Sequence, residues 1–338
     1  MSAVLTKCVA PSIAITGFVA LLAVSPNRPH AQATDPNAAP NPYRLQENWA
    51  QLPDGRKFGQ AIKVQVDHSD GKSIWVFERC GSKECTHSSV APIIKFAASG
   101  AFEKALGADK FAVPHSLYVD RDGNVWAGDQ IAKNGKGTDL IKFSPDGQVL
   151  MILGKPGMPG DGSGYLSAVS AVVVAPNGDI YVVDGHGAGT NDRVVKFAKD
   201  GTFIIAWGKH GKAAGEFDTP HGIALDSAGR VYVADRSNNR IQIFEPDGKF
   251  VAEWKQFGRP SEVAIDRNDM LYVADSQSTT ATNPGFKQGI RVGNIKDGKV
   301  MAFIPFETGA PEGVGVDDQG NVYGGQVAET NVLKFVKK

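Results

Sequence analysis

Residues 220–235 read Pro-His-Gly-Ile-Ala-Leu-Asp-Ser-Ala-Gly-Arg-Val-Tyr-Val-Ala-Asp, and this pattern recurs along the chain. Further copies begin at Pro114, Ser170, Pro260 and Pro311. Each copy joins short β-branched or aromatic runs through a turn, and the Gly in that turn supplies the positive φ that a tight hairpin needs. A repeat of about 40 to 55 residues built in this way indicates a radial or linear array of strands.

One full copy accounts for four antiparallel strands, which is the content of one propeller blade. A divergent copy near Ala61 raises the number of blades to six. The last copy ends at Lys338 after three strands, and we expect residues 45–52 to supply its outer strand, because a closed ring leaves no strand edge unpaired. An open solenoid is the alternative, but it would need capping repeats, and none is visible. The sequence therefore predicts an all-β, six-bladed β-propeller over residues 45–338, preceded by a linker over 34–44.

The first 33 residues have the features of a signal peptide. Lys7 precedes an apolar run over residues 10–24, and Ala31-Gln32-Ala33 forms a small-residue cleavage site. A retained membrane anchor is less favoured, because the apolar run is short and a polar, Pro-rich segment follows it. We therefore expect export to the periplasm or the medium.

The net charge and the cysteines bear on the binding partners and on the redox compartment of the protein. Residues 1–33 contain Lys7 and Arg28 but no acidic residue, so the remainder has 34 basic and 36 acidic side chains and a net charge of −2. That balance argues against binding to nucleic acid or to an anionic membrane. Cys80 and Cys85 are spaced for a small loop closed by a disulfide in an oxidising compartment.

The repeats resemble NHL repeats, and a narrower resemblance is to peptidyl-α-hydroxyglycine α-amidating lyase. That family is a six-bladed propeller with a central zinc held by three histidines, a structural calcium and a catalytic arginine. His115 in Val-Pro-His-Ser-Leu and His221 in Thr-Pro-His-Gly-Ile match two of the zinc histidines. Arg79 in Val-Phe-Glu-Arg matches the arginine.

Three positions depart from the family pattern. The third zinc histidine is replaced by Glu312. The neighbouring calcium aspartate is replaced by Gly313, which argues against calcium. The active-site tyrosine after Asp-Gly is replaced by His186.

Each candidate residue has a catalytic and a structural interpretation. His115, His221 and Glu312 could form a zinc site with an open coordination position, and we expect Glu262 to occupy the equivalent place in the fifth blade. The imidazoles could instead bond to neighbouring backbone, and Glu312 could simply be a solvated channel residue. Arg79 could stabilise an oxyanion, or it could pair with an acid such as the adjacent glutamate.

His186, in the Gly-rich loop, could act as a general acid or base or be exposed. The resemblance implies a metal-dependent carbon–nitrogen lyase that takes a carbinolamide, as a small molecule or a peptide, in the central channel. The alternative is a non-catalytic propeller that binds a ligand or protein, and a lactonase-like hydrolase is less favoured because such enzymes use acidic and Asn ligands. We expect a monomer.

Overall fold

The computed structural model describes residues 1–2, 35–307 and 309–338, and from residue 35 onward they form one propeller. The predicted signal peptide over 1–33 lies almost wholly outside the described residues. Strand β1 (Tyr43–Gln46) comes first in the chain and belongs to the last blade. The first blade contains β2 (Ala61–Val66), β3 (Ile74–Glu78), β4 (Ile93–Phe96) and β5 (Phe102–Leu106), and the second contains β6 (Pro114–Val119), β7 (Val125–Asp129), β8 (Asp139–Phe143) and β9 (Val149–Gly154). The third contains β10 (Val169–Val174), β11 (Ile180–Asp184), β12 (Arg193–Phe197) and β13 (Phe203–Trp207), and the fourth contains β14 (Pro220–Leu225), β15 (Val231–Asp235), β16 (Arg240–Phe244) and β17 (Phe250–Trp254). The fifth contains β18 (Glu262–Ile265), β19 (Met270–Asp275), β20 (Gly289–Asn294) and β21 (Val300–Pro305).

The sixth blade consists of β22 (Gly313–Val316), β23 (Val322–Gln326), β24 (Asn331–Lys337) and the returning β1. All neighbouring strands within the blades are antiparallel, and the described chain has no α-helix, only one 3₁₀ turn at Arg236–Asn238. The innermost strands β2, β6, β10, β14, β18 and β22 contact one another in that order, and β22 returns to β2. The predicted six-bladed β-propeller is confirmed.

The hydrophobic core lies between the blades. Six clusters of buried apolar side chains are described, and each joins two neighbouring blades. Phe77 of the first blade, for example, packs in one cluster with Leu117 and Ile141 of the second. Because the core is distributed around the ring, the central channel is left for polar side chains. None of the described residues form a helix that could span a membrane.

The ring closes through the N-terminal segment, as expected, but with a different stretch of chain. Tyr43–Gln46 pairs with β24, whereas residues 45–52 were predicted for this strand. Trp49 instead turns inward and is buried at the junction between the sixth and first blades. The segment predicted as a linker is also packed: the Asn37 side chain accepts from Arg291 of the fifth blade at 2.9 Å. The propeller therefore begins before residue 45.

A β-bulge near the start of the innermost strand determines which side chains reach the channel axis. In four blades the pairing register skips one residue at this point. The residue at the bulge is Ile62, His115, Ser170 or His221, and the matching places in the last two blades belong to Ser261 and Glu312.

The residue after the bulge is the second position of the innermost strand whose side chain matters for the channel. Glu262 was expected to match His221, but it pairs with Ala274 and so matches Gly222, one residue farther along the strand. The prediction for Glu262 is wrong, because it aligned the acidic residue and not the bulge.

Candidate functional site

Three imidazoles from three different blades meet at one end of the central channel. His115 lies at the bulge of β6, His221 lies at the bulge of β14, and His186 reaches the same point from the loop after β11. One ligand nitrogen of each ring lies within 4.8 Å of those of the other two. The ring centroids are 4.5 to 4.9 Å apart. Such a cluster has the ligand type and the spacing of a transition-metal site.

Backbone carbonyls hold two of these rings in the form that binds a metal. His115 Nδ1 lies 2.9 Å from the carbonyl oxygen of Ser170, and His221 Nδ1 lies 2.6 Å from that of Ser261. A carbonyl can only accept, so Nδ1 carries the proton and Nε2 keeps its lone pair. Ligating histidines are usually oriented by a bond of this kind.

The buried rings are also held neutral. Burial keeps the pKa of both His115 and His221 well below the usual imidazole value, and Lys63 acts in the same direction. His221 Nε2 is fully buried and has no hydrogen-bond donor among the described residues. It faces Glu312 Oε1 at 3.0 Å, so two electron-pair donors are directed at each other. A cation is what this pair lacks, and the residues present therefore fit a metal.

The third ring is held differently. The Gln130 side chain accepts from Arg79 with its oxygen and donates from its nitrogen to His186 Nδ1 at 2.7 Å. His186 Nε2 lies 3.5 Å from the Arg236 guanidinium. Burial lowers the pKa of His186 to about 4, and Arg236 contributes to the same shift. A neutral imidazole keeps one N–H, so only one of its two nitrogens can accept a hydrogen bond, and a metal bound by His186 would replace the donor at that nitrogen.

Glu312 and Arg236 form an ion pair beside the imidazoles. Arg236 Nη1 donates to Glu312 Oε1 at 3.0 Å. The Glu312 side chain is 13% exposed, so it lies at the channel mouth and not inside the core. Burial alone would raise the pKa of Glu312, but the Arg236 guanidinium beside it more than offsets this and lowers it. Glu312 is therefore a carboxylate that can accept a proton.

At the same mouth, the hydrogen-bond partners of the Arg79 guanidinium are all uncharged. Its guanidinium donates to Gln60 at 2.5 Å, to the Pro114 carbonyl at 3.2 Å and to Gln130 at 3.1 Å. The adjacent Glu78 does not neutralise it, because Glu78 pairs with Arg56 at 3.2 Å. The charge of Arg79 thus remains available to an anionic group in the channel.

The structure therefore brings all five sequence-predicted site residues to the same end of the channel. His115 and His221 meet as expected, and His186 joins them as the third imidazole. Glu312 lies next to that cluster, tied to an arginine, and its role as a ligand stays a prediction.

Sequence reasoning missed Arg236. A signal existed, because Arg79 follows the acidic residue that ends the second strand of the first blade, and Arg236 holds that place in the fourth. Comparing blades position by position would have found it.

The cysteines of the loop after β3 also behave as expected. Cys80 and Cys85 form a disulfide with their Cα atoms 5.3 Å apart. Because Cys80 follows Arg79 directly, the crosslink limits the movement of the segment that carries the guanidinium.

Comparison with known proteins connects this geometry to a family. A model of the NHL repeat matches residues 217–244. Human NHL repeat-containing protein 3 is 33% identical over 220 residues, which cover 63% of this chain and 59% of that protein. Peptidyl-glycine alpha-amidating monooxygenase B of Xenopus laevis is 32% identical over 249 residues, 69% of this chain and 27% of that protein.

A shorter match is to a probable peptidyl-alpha-hydroxyglycine alpha-amidating lyase of Caenorhabditis elegans, 33% identical over 145 residues, 41% of this chain and 38% of that protein. In each case the match spans less than two thirds of the relative's length. Among solved structures, a streptogramin B lyase aligns with a TM-score of 0.54 at 16% identity, covering 88% of this chain and 98% of that chain, which shows a shared fold alone. This chain is a six-bladed β-propeller with an NHL repeat, homologous over part of its length to the peptidyl-α-hydroxyglycine α-amidating lyases.

Proposed function

We propose that this protein is a metal-dependent carbon–nitrogen lyase that acts on a carbinolamide, with zinc as the expected metal. The observation that carries the proposal is the convergence of His115, His186 and His221, two of which have their Nδ1–H already committed to backbone carbonyls. The partial similarity to amidating lyases supports the reaction type. The substrate would enter the channel at the mouth that carries Arg79 and Glu312.

The chemistry divides among these residues. When bound, a divalent metal supplies a Lewis acid that lowers the pKa of a substrate hydroxyl. Glu312 accepts the hydroxyl proton, the carbon–oxygen double bond forms, and the carbon–nitrogen bond breaks. The amide nitrogen then takes a proton, which Glu312 can return. Arg79 holds the negative charge that develops during this step, and Arg236 keeps Glu312 ionised and oriented.

Metal analysis tests the proposal most directly. The wild-type protein is expected to carry about one equivalent of zinc, and a His115→Ala/His221→Ala variant is expected to carry none. A His68→Ala/His87→Ala variant, which removes two imidazoles outside the cluster, is the matched control. Glyoxylate release from an N-acyl-α-hydroxyglycine then tests the reaction itself.

Glu312→Gln separates the two roles of that residue. If Glu312 accepts the proton, the variant keeps its zinc and loses turnover by about 10² to 10⁴-fold. If Glu312 is a ligand, zinc is lost together with activity. Wild-type protein that takes up no divalent metal would contradict the lyase.

A non-catalytic ligand- or protein-binding propeller is the second candidate. The similarity to NHL repeat-containing protein 3 favours it, since that match covers more than half of a protein whose name records no reaction. Export remains part of the proposal as well, supported by the Cys80–Cys85 disulfide, which is typical of oxidising compartments.

A further inference from the structure

A buried ion pair lies directly beneath the imidazole cluster. Lys63 of β2 and Glu262 of β18 both occupy the position that follows the bulge, and they meet across the channel from the first and fifth blades. Their side chains are only 2% and 6% exposed. The Lys63 ammonium also donates to the backbone carbonyl of His221 at 3.1 Å. One ammonium group thus connects strands from three blades.

Small residues at the same level make room for this pair. A side chain at Gly222 would place its Cβ 2.5 Å from Glu262 Oε1, and one at Gly313 would lie 2.9 Å from the Cα of Lys63. The cavity of about 1360 Å³ at the opposite mouth begins one level farther on, with residues such as Gln65 and Ala264 among its lining. The ion pair therefore lies between that cavity and the imidazoles.

Both members of the ion pair are connected to the strands that hold His221. Lys63 holds the carbonyl of His221 itself. Glu262 directly follows Ser261, whose carbonyl accepts the proton on His221 Nδ1. The ammonium therefore fixes the distance between the strand that carries the imidazole and the strand that orients it. Groups that orient a ligating imidazole in this way commonly change metal affinity when they are removed.

We propose that Lys63, held in place by its ion pair with Glu262, is a positioning residue whose bond to the His221 carbonyl keeps the His221 imidazole in the metal-binding orientation. The metal part of this inference rests on the proposed function, whereas the effect on the ring exists with or without a metal. An apolar substitution at position 63 would leave Glu262 buried without its partner and would release the His221 carbonyl. The ring could then rotate away from Ser261 and exchange its proton between the two nitrogens.

The test compares Lys63→Met with the wild type in two measurements. In metal-free protein, imidazole nitrogen NMR should show His221 as a single Nδ1–H tautomer in the wild type and as a mixture in the variant. Zinc affinity, measured by chelator competition, should fall roughly 10 to 100-fold. Lys196→Met, which breaks an ion pair to Asp179 away from the imidazoles, is the matched control and should change neither result.

The charge-swapped variant Lys63→Glu/Glu262→Lys guards against loss of folding. It restores an ion pair, so its thermal midpoint should return toward the wild-type value, but it removes the ammonium from the His221 carbonyl, so the mixed tautomers should persist. A swapped or Lys63→Met protein with one Nδ1–H tautomer and wild-type zinc affinity would overturn the inference. A tautomer change in a protein that binds no zinc would uphold the positioning role and reject the proposed lyase.

Discussion

At the scale of single residues, the contacts of Arg79 differ from those of an arginine that neutralises a buried acid. A structural arginine on a blade neutralises a buried acid, as Arg193 does for Asp184 at 2.9 Å. Arg79 instead donates to two side-chain amides and one carbonyl, none of which carries charge. These contacts fix the direction of the guanidinium without a direct ion pair, and the Glu312 and Asp129 carboxylates favour its charged form.

Arg79→Lys is predicted to lose turnover while it keeps the metal. A lysine retains the charge but cannot reproduce the three-way contact of the planar guanidinium. We expect a fall in kcat of about 10² to 10³-fold, the usual cost of losing a donor to a developing anion. Steady-state glyoxylate release and zinc content measure the two effects.

The control for this prediction is Arg121→Lys at an exposed arginine that lines the opposite cavity. It should behave as the wild type. An Arg79→Lys enzyme with unchanged kcat would show that the site needs charge alone at this position.

The residue scale also shows where sequence-based prediction ends. His115 and His221 could be predicted because each follows Pro in a repeated motif. His186 could not be assigned to the cluster, since it lies on a loop whose path does not follow the strand periodicity. The ring reaches the axis because Thr190 Oγ1 accepts from the His186 backbone N–H at 2.8 Å, a contact that the repeat does not encode.

At the scale of elements, the end of the second strand provides an internal comparison between blades. Five blades place a buried acid there, and in four of them an arginine pairs with it. In the second blade the acid is Asp129, and the third strand begins with Asp139 where blades three and four begin with arginine. Asp129 Oδ2 accepts from the Ala112 N–H, but Oδ1 has no hydrogen bond among the described residues.

Asp129→Asn is predicted to stabilise the protein more as the pH rises. Burial, with a contribution from Asp139, raises the pKa of Asp129 to about 8. A carboxyl whose folded pKa is raised contributes most below its unfolded pKa, near 4, and that contribution is lost progressively as the pH rises from there to the folded pKa. Asparagine has no proton to lose, so the stability of the variant relative to the wild type should increase by about 2 to 4 kcal/mol between pH 5 and pH 8.5.

Urea unfolding at the two pH values measures this difference. Asp184→Asn is the matched control, because it removes a carboxylate that does have an arginine, and it should lower the free energy of unfolding at both values. An Asp129→Asn protein that is less stable by the same amount at each pH would show that Asp129 is ionised and paired.

Element geometry also explains the error at Glu262. The prediction placed this acid at the level of the histidines, but His221 directly follows Pro220, whereas Glu262 is the second residue after Pro260. The bulge inserts one residue, so adjacent positions present different groups: His115 and His221 lie at the bulge, whereas Lys63 and Glu262 lie at the position after it. A shift of one residue changes which groups a strand presents. Counting from the blade-opening Pro aligns Ser261 with His221, in agreement with the observed register.

At the scale of the whole molecule, the fold could be predicted almost completely because the repeat itself carries the information. Each blade buries its apolar faces against its neighbours, so the pattern of one copy applies to all. The closing strand could be placed only to within a few residues, because it lies far from its partners in the sequence and has no repeat motif. Its position is determined by packing: Tyr43 is 5% exposed and lies in the cluster that joins the fifth and sixth blades.

Deletion of residues 1–46 is predicted to open the ring. It exposes the seven-residue strand β24 as an unpaired edge and uncovers the apolar surface around Phe335. Loss of the buried tyrosine alone should cost about 2 to 3 kcal/mol, and the free edge should promote association between chains. A lower thermal midpoint and larger species in size-exclusion chromatography are the expected results, whereas deletion of residues 1–33 should have no such effect.

The same prediction can be checked by restoring the strand from outside. A synthetic peptide of residues 35–46 contains both β1 and Asn37, which contacts Arg291 and the carbonyl of Gly285 in the fifth blade. If the strand closes the ring through these contacts, the peptide should bind the truncated protein, raise its thermal midpoint and reverse its association. A peptide with Asn37→Ala and Tyr43→Ala should do so less well, because it lacks the polar anchor and the buried ring. Failure of the intact peptide to bind, or a truncated protein as stable as the full chain, would show that the six blades hold together through their inter-blade cores alone.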